Sequence, residues 1–261
     1  MVQTEFADGL FVDSSGSAAL EFKYSMLPSD YLKFATFDIH ENQDERACVN
    51  GVTNAKRALH LRIESLAEIF GSAHIGINGH SHFPKLIDFV GKCGVVAPGI
   101  LRRLNKIRNE VEHRYFVPSF DQVEDFVDIV QLFLSATEGL ISQFPTDVDL
   151  SSDDEDLPGI DRRRLTISTN PRSGLIDVRA LEVKCEVEKL KLEARRELEK
   201  LQVELKQKTE ADTENAYWGT MEEVAFRNAA LSYTEESTCS FHVAEDDQYF
   251  DWLAILLEKT R

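Results

Sequence analysis

Between residues 46 and 70 the apolar side chains Val52, Ala55, Leu59, Ile63, Leu66 and Phe70 recur every three or four positions, which predicts one long helix with a single buried face. A stripe of that length must be covered along its whole extent by other apolar faces. Gly71 is its natural stop. The neighbouring segments have the same character. Leu27-Pro28-Ser29-Asp30 opens a helix carrying Tyr31, Phe34, Ala35 and Ile39, and a short helix over 85–92 ends at Gly94. A further helix begins near Pro98, buries Ile100, Leu104, Ile107 and Val111, and is stopped by Pro118. Ser119-Phe120-Asp121-Gln122 then has the form of a capping box. The helix behind it is expected to run to about residue 144, with Val123, Phe126, Val127, Val130, Phe133, Leu134, Leu140 and Ile141 inward. Short connections between such helices specify an antiparallel bundle over 28–147.

Outside that bundle the pattern differs. Residues 1–27 hold two short extended runs, 9–12 and 18–24, that suggest a hairpin. Residues 148–162 form an acidic linker around Asp153-Asp154-Glu155-Asp156 and Pro158-Gly159. Residues 163–261 are expected to form a small α+β domain. Strands over 164–168 and 175–181 flank an Asn170-Pro171-Arg172-Ser173-Gly174 turn, and Leu190, Ala194, Leu198, Leu201 and Leu205 then recur like a helix. Residues 226–233 and 238–243 look extended, and 246–258 is an amphipathic helix with Tyr249, Trp252, Leu253 and Leu256 on one face. The expected class is mainly α, an N-terminal antiparallel helical bundle followed by a small α+β domain.

Composition narrows the function. The 261 residues are 43% hydrophobic and 29% charged, as in an ordinary globular chain. No apolar run approaches the ~20 residues that span a bilayer, so no membrane association is expected. The start lacks a basic segment followed by an apolar core, and Cys48, Cys93, Cys185 and Cys239 are scattered. Those features predict a cytoplasmic protein without disulfides or a zinc centre. Three histidines, His74, His80 and His82, occupy a Gly-rich loop without nearby Cys or carboxylate, so neither a metal nor a cofactor is expected. The net charge of −17 argues against binding nucleic acid by general electrostatics. Any RNA contact must be local, and Arg102, Arg103, Lys106, Arg108 and Arg114 offer one surface. Arg162-Arg163-Arg164 reads as solvated loop.

The segment Arg108-Asn109-Glu110-Val111-Glu112-His113-Arg114-Tyr115 carries the chemistry. An imidazole titrates near neutral pH and moves protons, while a guanidinium holds charge building on a phosphate. Arg108 and His113 lie roughly 140° apart on a regular helix. Both heads reach one phosphate if the long Arg108 side chain wraps round, if the last turn loosens or, more simply, if two copies of the helix face each other across a dyad and line one cleft. The motif resembles that of the HEPN family, in which Arg, commonly followed by Asn, precedes His by a few residues, and Asn54-Ala55-Lys56-Arg57-Ala58-Leu59-His60 resembles the paired helix of those proteins. The resemblance covers the first half of the chain. It implies a helical bundle, a homodimer with a composite site, and metal-independent RNA cleavage. Arg108, Asn109 and His113 would then be catalytic, with Arg102, Lys106 and Arg114 binding RNA. The spacing Arg-x4-His-x-Tyr also resembles HEPN toxins in which a partner modifies the tyrosine. Tyr115 is thereby a candidate modification site, and an antitoxin or regulatory protein a candidate partner, although on a regular helix Tyr115 falls on the packing side. A non-catalytic bundle serving as a dimerisation or adaptor module is the alternative.

Overall fold

The computed structural model describes residues 2–21, 24–41, 44–78, 82–95, 99, 101–103, 106, 117–152, 162–207, 221–245 and 247–260. The fold is α+β. Helix α1 spans Pro28–Glu41, α2 Glu45–Ile69, α3 Phe83–Lys92 and α4 Phe120–Thr137. The long periodic stripe is α2. Asp44 caps it by accepting a hydrogen bond from Ala47 N at 2.7 Å. Gly51, Ala55 and Ala58 make a shallow face on α2 that lets α1 and α4 approach closely. A Cβ at Gly51 would sit 2.8 Å from Ile39 of α1 and 3.0 Å from Val123 of α4. This close packing explains a glycine in mid-helix, where it costs about 1 kcal/mol in propensity. The capping box forms as expected: Ser119 N donates to Gln122 Oε1 at 3.0 Å, and Gln122 N donates to Ser119 Oγ at 3.4 Å.

Among the described residues five strands form one antiparallel sheet in the order β1-β2-β3-β4-β5: Phe11–Ala18, Phe144–Ser151, Arg163–Thr169, Leu175–Val183 and Thr234–His242. One face is apolar and buried, with Val148, Leu150, Leu165, Ile167, Ile176, Val178 and Phe241 pointing inward. The opposite face is a polar ladder. Thr166 Oγ1 donates to Asp149 at 2.6 Å, Ser14 Oγ donates to the same carboxylate at 3.0 Å, and Arg179 pairs with Glu236 at 2.7 Å. Helix α7, Gln248–Lys259 in α-helix order after α5 (Val187–Gln207) and α6 (Met221–Leu231), lies on the buried face. Its Trp252 stacks on Phe241 with centroids 6.0 Å apart, and Tyr249 donates to the Phe70 carbonyl at 3.0 Å. Phe70 in turn meets Phe144 at 5.8 Å. Helices and sheet thus share one apolar cluster. Helices α5 and α6 leave from the end of β4 and β5 and form a smaller cluster of Val183, Leu190, Ala194, Ala229 and Ala230.

Several expectations need correction. Among the described residues of 1–27 there is a 3-10 turn, Thr4–Ala7, and one strand, β1, which pairs not with a neighbour in a hairpin but with β2 across more than a hundred residues. The boundary expected at 147/148 falls inside β2, so one sheet and one apolar cluster cross it. Residues 148–151, the start of the expected linker, are therefore strand, with Asp149 on its wet face. Residues 153–161 of the expected linker lie outside the described residues. Helix α4 ends at Thr137; after one further turn, Gly139–Ser142, Phe144 opens a strand instead of closing a helix. Most of 226–233, expected to be extended, belongs to α6, where Ala225, Ala229 and Ala230 are buried at helical spacing.

The junction between α2 and the sheet is built on glycine. Gly71 and Gly174 both adopt positive φ, +79° and +63°, and a Cβ at Gly71 would lie 2.4 Å from Gly174 Cα. Arg172, also at positive φ, donates its backbone N–H to Ile69 O at 2.8 Å and its Nε to Glu68 at 2.8 Å. The β3–β4 turn is thereby fastened to the end of the longest helix.

Candidate functional site

Residues 99, 101–103 and 106 are helical and fall within the stretch expected to form the motif helix. Leu101 is buried in the main cluster, whereas Arg102, Arg103 and Lys106 are exposed. The basic side chains therefore lie outward and the apolar one inward, the polarity their spacing implies. Arg102 Nη2 pairs with Asp88 of α3 at 2.8 Å. Both partners are more than half exposed, so solvent screens the pair to within about 1 kcal/mol. Arg108, Asn109, His113, Arg114 and Tyr115 lie outside the described residues. The structure thus brings together Arg102, Arg103 and Lys106 on one helix face and leaves the remaining motif residues to sequence argument.

The segment 54–60 of α2 presents a polar face beside its buried one. Ala55, Ala58 and Leu59 are buried. Asn54 Nδ2 donates to Asp38 Oδ2 of α1 at 3.0 Å, the Arg57 guanidinium lies over the Tyr31 ring at 5.9 Å, and the His60 ring stacks on Phe83 with centroids 4.8 Å apart and a 20° tilt. Each of these polar side chains is directed by a neighbour on α1 or α3. Sequence reasoning took Tyr31 and Phe34 as part of the first helix's apolar set and passed over Phe37. The signal was there: Tyr31, Phe34 and Phe37, three apart, step about 60° at a time away from the face that buries Ala35 and Ile39.

The histidine loop serves the fold. His74 Nε2 lies 3.1 Å from Arg172 O, and its ring meets the edge of His242 at 5.1 Å. His82 is the exposed residue before α3, and His80 lies outside the described residues. Among the described residues no three His, Cys, Asp or Glu side chains converge in a way that could hold a metal ion. The triple arginine opens β3 instead of forming a loop. Arg162 donates to Cys185 O at 3.0 Å, and Arg163 donates to Asp8 O at 3.2 Å, with its guanidinium over Phe6. Two of the three therefore fasten neighbouring segments to the sheet.

Titration is perturbed away from this face. Burial pushes the Cys93 thiol and the Tyr249 phenol well above their ordinary values, which keeps both neutral and unreactive. The Tyr24 phenol is raised chiefly by its hydrogen bond to Glu64, at 3.0 Å.

No family model, no curated protein and no solved structure matches this chain.

Proposed function

We propose that this chain is a metal-independent endoribonuclease of the HEPN type, working as a homodimer through its helical half. The observation that carries the reading is the sequence Arg108-Asn109-x3-His113, just after helical residues that bury Leu101 and expose Arg102, Arg103 and Lys106. Continued regularly, that helix sets Asn109 and His113 on the same outward side as Arg102 and Lys106. The close packing of α1, α2 and α4 at Gly51 and Ala55 supports a helical bundle in this half of the chain.

In this reading His113 takes the proton of a ribose 2′-hydroxyl as its oxygen attacks the adjacent phosphorus. Arg108 stabilises the charge on the non-bridging oxygens, and Asn109 orients His113 or the phosphate. The bond to the 5′-oxygen breaks, that oxygen takes a proton from water or from a protonated His113, and the upstream fragment carries a 2′,3′-cyclic phosphate. Arg102, Lys106 and Arg114 hold the flanking phosphates. A toxin or defence role, with the sheet-containing half or a partner protein restraining the site and Tyr115 open to modification, follows from the same resemblance. The net charge of −17 favours a second reading, a non-catalytic bundle acting as a dimerisation module. Incubating purified protein with total RNA in EDTA, beside the His113→Ala variant, separates the two. Cleavage by the wild type alone supports the enzyme; intact RNA in both samples supports the adaptor.

A further inference from the structure

The outer side of α1 and α2 carries a feature that the motif does not account for. Phe34 and Phe37 are 49% and 63% exposed, and Tyr24, on the approach to α1, is 48% exposed. Tyr31 and Phe34 stand edge to face at 6.4 Å, and the exposed Arg57 guanidinium lies over the Tyr31 ring. Among the described residues Arg57 forms no ion pair, although acidic side chains outnumber basic ones 46 to 29 in this chain. Two concave pockets meet at Arg57. One, of about 390 Å³, is lined by Phe34, Phe37, Asp38, Thr53 and Asn54. The other, of about 470 Å³, is lined by Tyr24, Met26, Tyr31, Leu61 and Glu64. Each falls within the ~300–1,000 Å³ typical of small-molecule sites, and each combines exposed aromatic edges or faces with hydrogen-bonding groups.

We propose that this surface binds single-stranded RNA as two successive nucleotides, one base in each pocket and the phosphate between them on Arg57. The pockets stand on their own geometry; the choice of RNA as ligand rests on the ribonuclease reading. A cation held over an aromatic ring and left without a carboxylate partner is complementary to a phosphodiester, and the rings on either side offer π-faces to unpaired bases. A duplex stacks its bases inward and cannot use them. Asp38 and Asn54, already fixed to each other at 3.0 Å, present acceptor and donor groups to a base edge. The surface would hold substrate by its unpaired bases and give the enzyme a preference for single-stranded RNA.

The test uses the full chain and a short fluorescent RNA with 2′-O-methyl groups, which cannot be cleaved through the 2′-oxygen. Binding is followed by anisotropy for the wild type, Arg57→Gln, Phe37→Ala and His113→Ala, with the same RNA annealed to its complement as a second ligand. The wild type and His113→Ala are expected to bind the single strand in preference to the duplex. Arg57→Gln and Phe37→Ala, both at exposed positions and expected to keep the wild-type melting temperature, should each weaken binding by roughly tenfold, as for loss of one stacking or phosphate contact. Arg57→Gln should also flatten the dependence of log K on log salt by about 0.7. Equal binding by these variants and the wild type, a preference for the duplex, or no binding would overturn the proposal. Alongside, unmodified RNA of the same sequence is incubated with the wild type in EDTA: its cleavage together with Arg57-independent binding would remove this site and leave the nuclease, and Arg57-dependent binding with the unmodified RNA left intact would do the reverse.

Discussion

The guanidinium of Arg62, in the middle of α2, lies 2.6 Å from the Glu138 carboxylate and 3.3 Å from the Thr137 carbonyl oxygen. One side chain, only 4% exposed, therefore closes the C-terminal end of α4, where backbone carbonyls lack partners in the helix. The Glu138 side chain is 59% exposed, so water screens its share of the attraction. Glu138→Ala is expected to cost about 1–3 kcal/mol, the range for hydrogen bonds to charged groups. Arg62→Ala should cost more, since it also removes packing between α2 and α4. Urea unfolding of both variants checks the order; an Arg62→Ala protein as stable as the wild type would remove this link from the account.

Gly71→Ala would drive a methyl group to 2.4 Å from Gly174 Cα, backbone against backbone, at a positive φ. Left-handed strain of about 1–2 kcal/mol adds to overpacking of about 1–3 kcal/mol. Gly76→Ala has the same kind of φ, +71°, but nothing within 4 Å, and should bear only the first cost. Thermal unfolding of the pair separates close approach from conformation.

The contrast between α2 and β2 explains how much was legible in the sequence. A period of three to four over 25 residues survives local noise, so α2 was located to within a residue of its observed ends. The capping box at Ser119 and the face of α7 at Tyr249, Trp252, Leu253 and Leu256 were equally plain, because capping and amphipathicity are local. Strand β2 has only three or four inward residues, and the acidic run at 153–156 directly after it drew its last residues into the expected linker. Its pairing with β1 depends on a partner some 130 residues away, which no local pattern records. The site divides in the same way. The outward basic face was readable from spacing, whereas the stacking of Arg57 on Tyr31 arises from the crossing of two helices and was not.

Alkaline conditions should weaken the fold. Tyr249 and Cys93 release their protons at higher pH in the folded chain than in the unfolded one, because burial disfavours the charged forms. The unfolded state then binds fewer protons over the interval, so stability present below about pH 8 falls as pH rises through about 9–11. Tyr249→Phe should lower stability at neutral pH by about 1 kcal/mol, through loss of the bond to Phe70 O, and make the alkaline decline shallower. Denaturant titrations at neutral and alkaline pH measure both effects; an unchanged slope would contradict the burial argument.

On the proposed reading Asn109 and His113 continue the basic face of Arg102 and Lys106, and that face gains its chemistry when two copies meet, since one phosphate needs several of these groups. Light scattering at micromolar concentration should give twice the 29.6 kDa chain mass. A fully active monomer would defeat the composite site even if the chemistry survived.

The chemistry of the RNA ends tests the central claim most directly. A defined single-stranded RNA is incubated in EDTA with the wild type, Arg108→Ala and His113→Ala, and the termini of the products are analysed. The account predicts a 2′,3′-cyclic phosphate on the upstream fragment and a free 5′-hydroxyl on the downstream one, with cleavage lowered about 10²-fold or more in each variant. Products ending in 3′-hydroxyl and 5′-phosphate, cleavage abolished by EDTA, or variants as active as the wild type would contradict it.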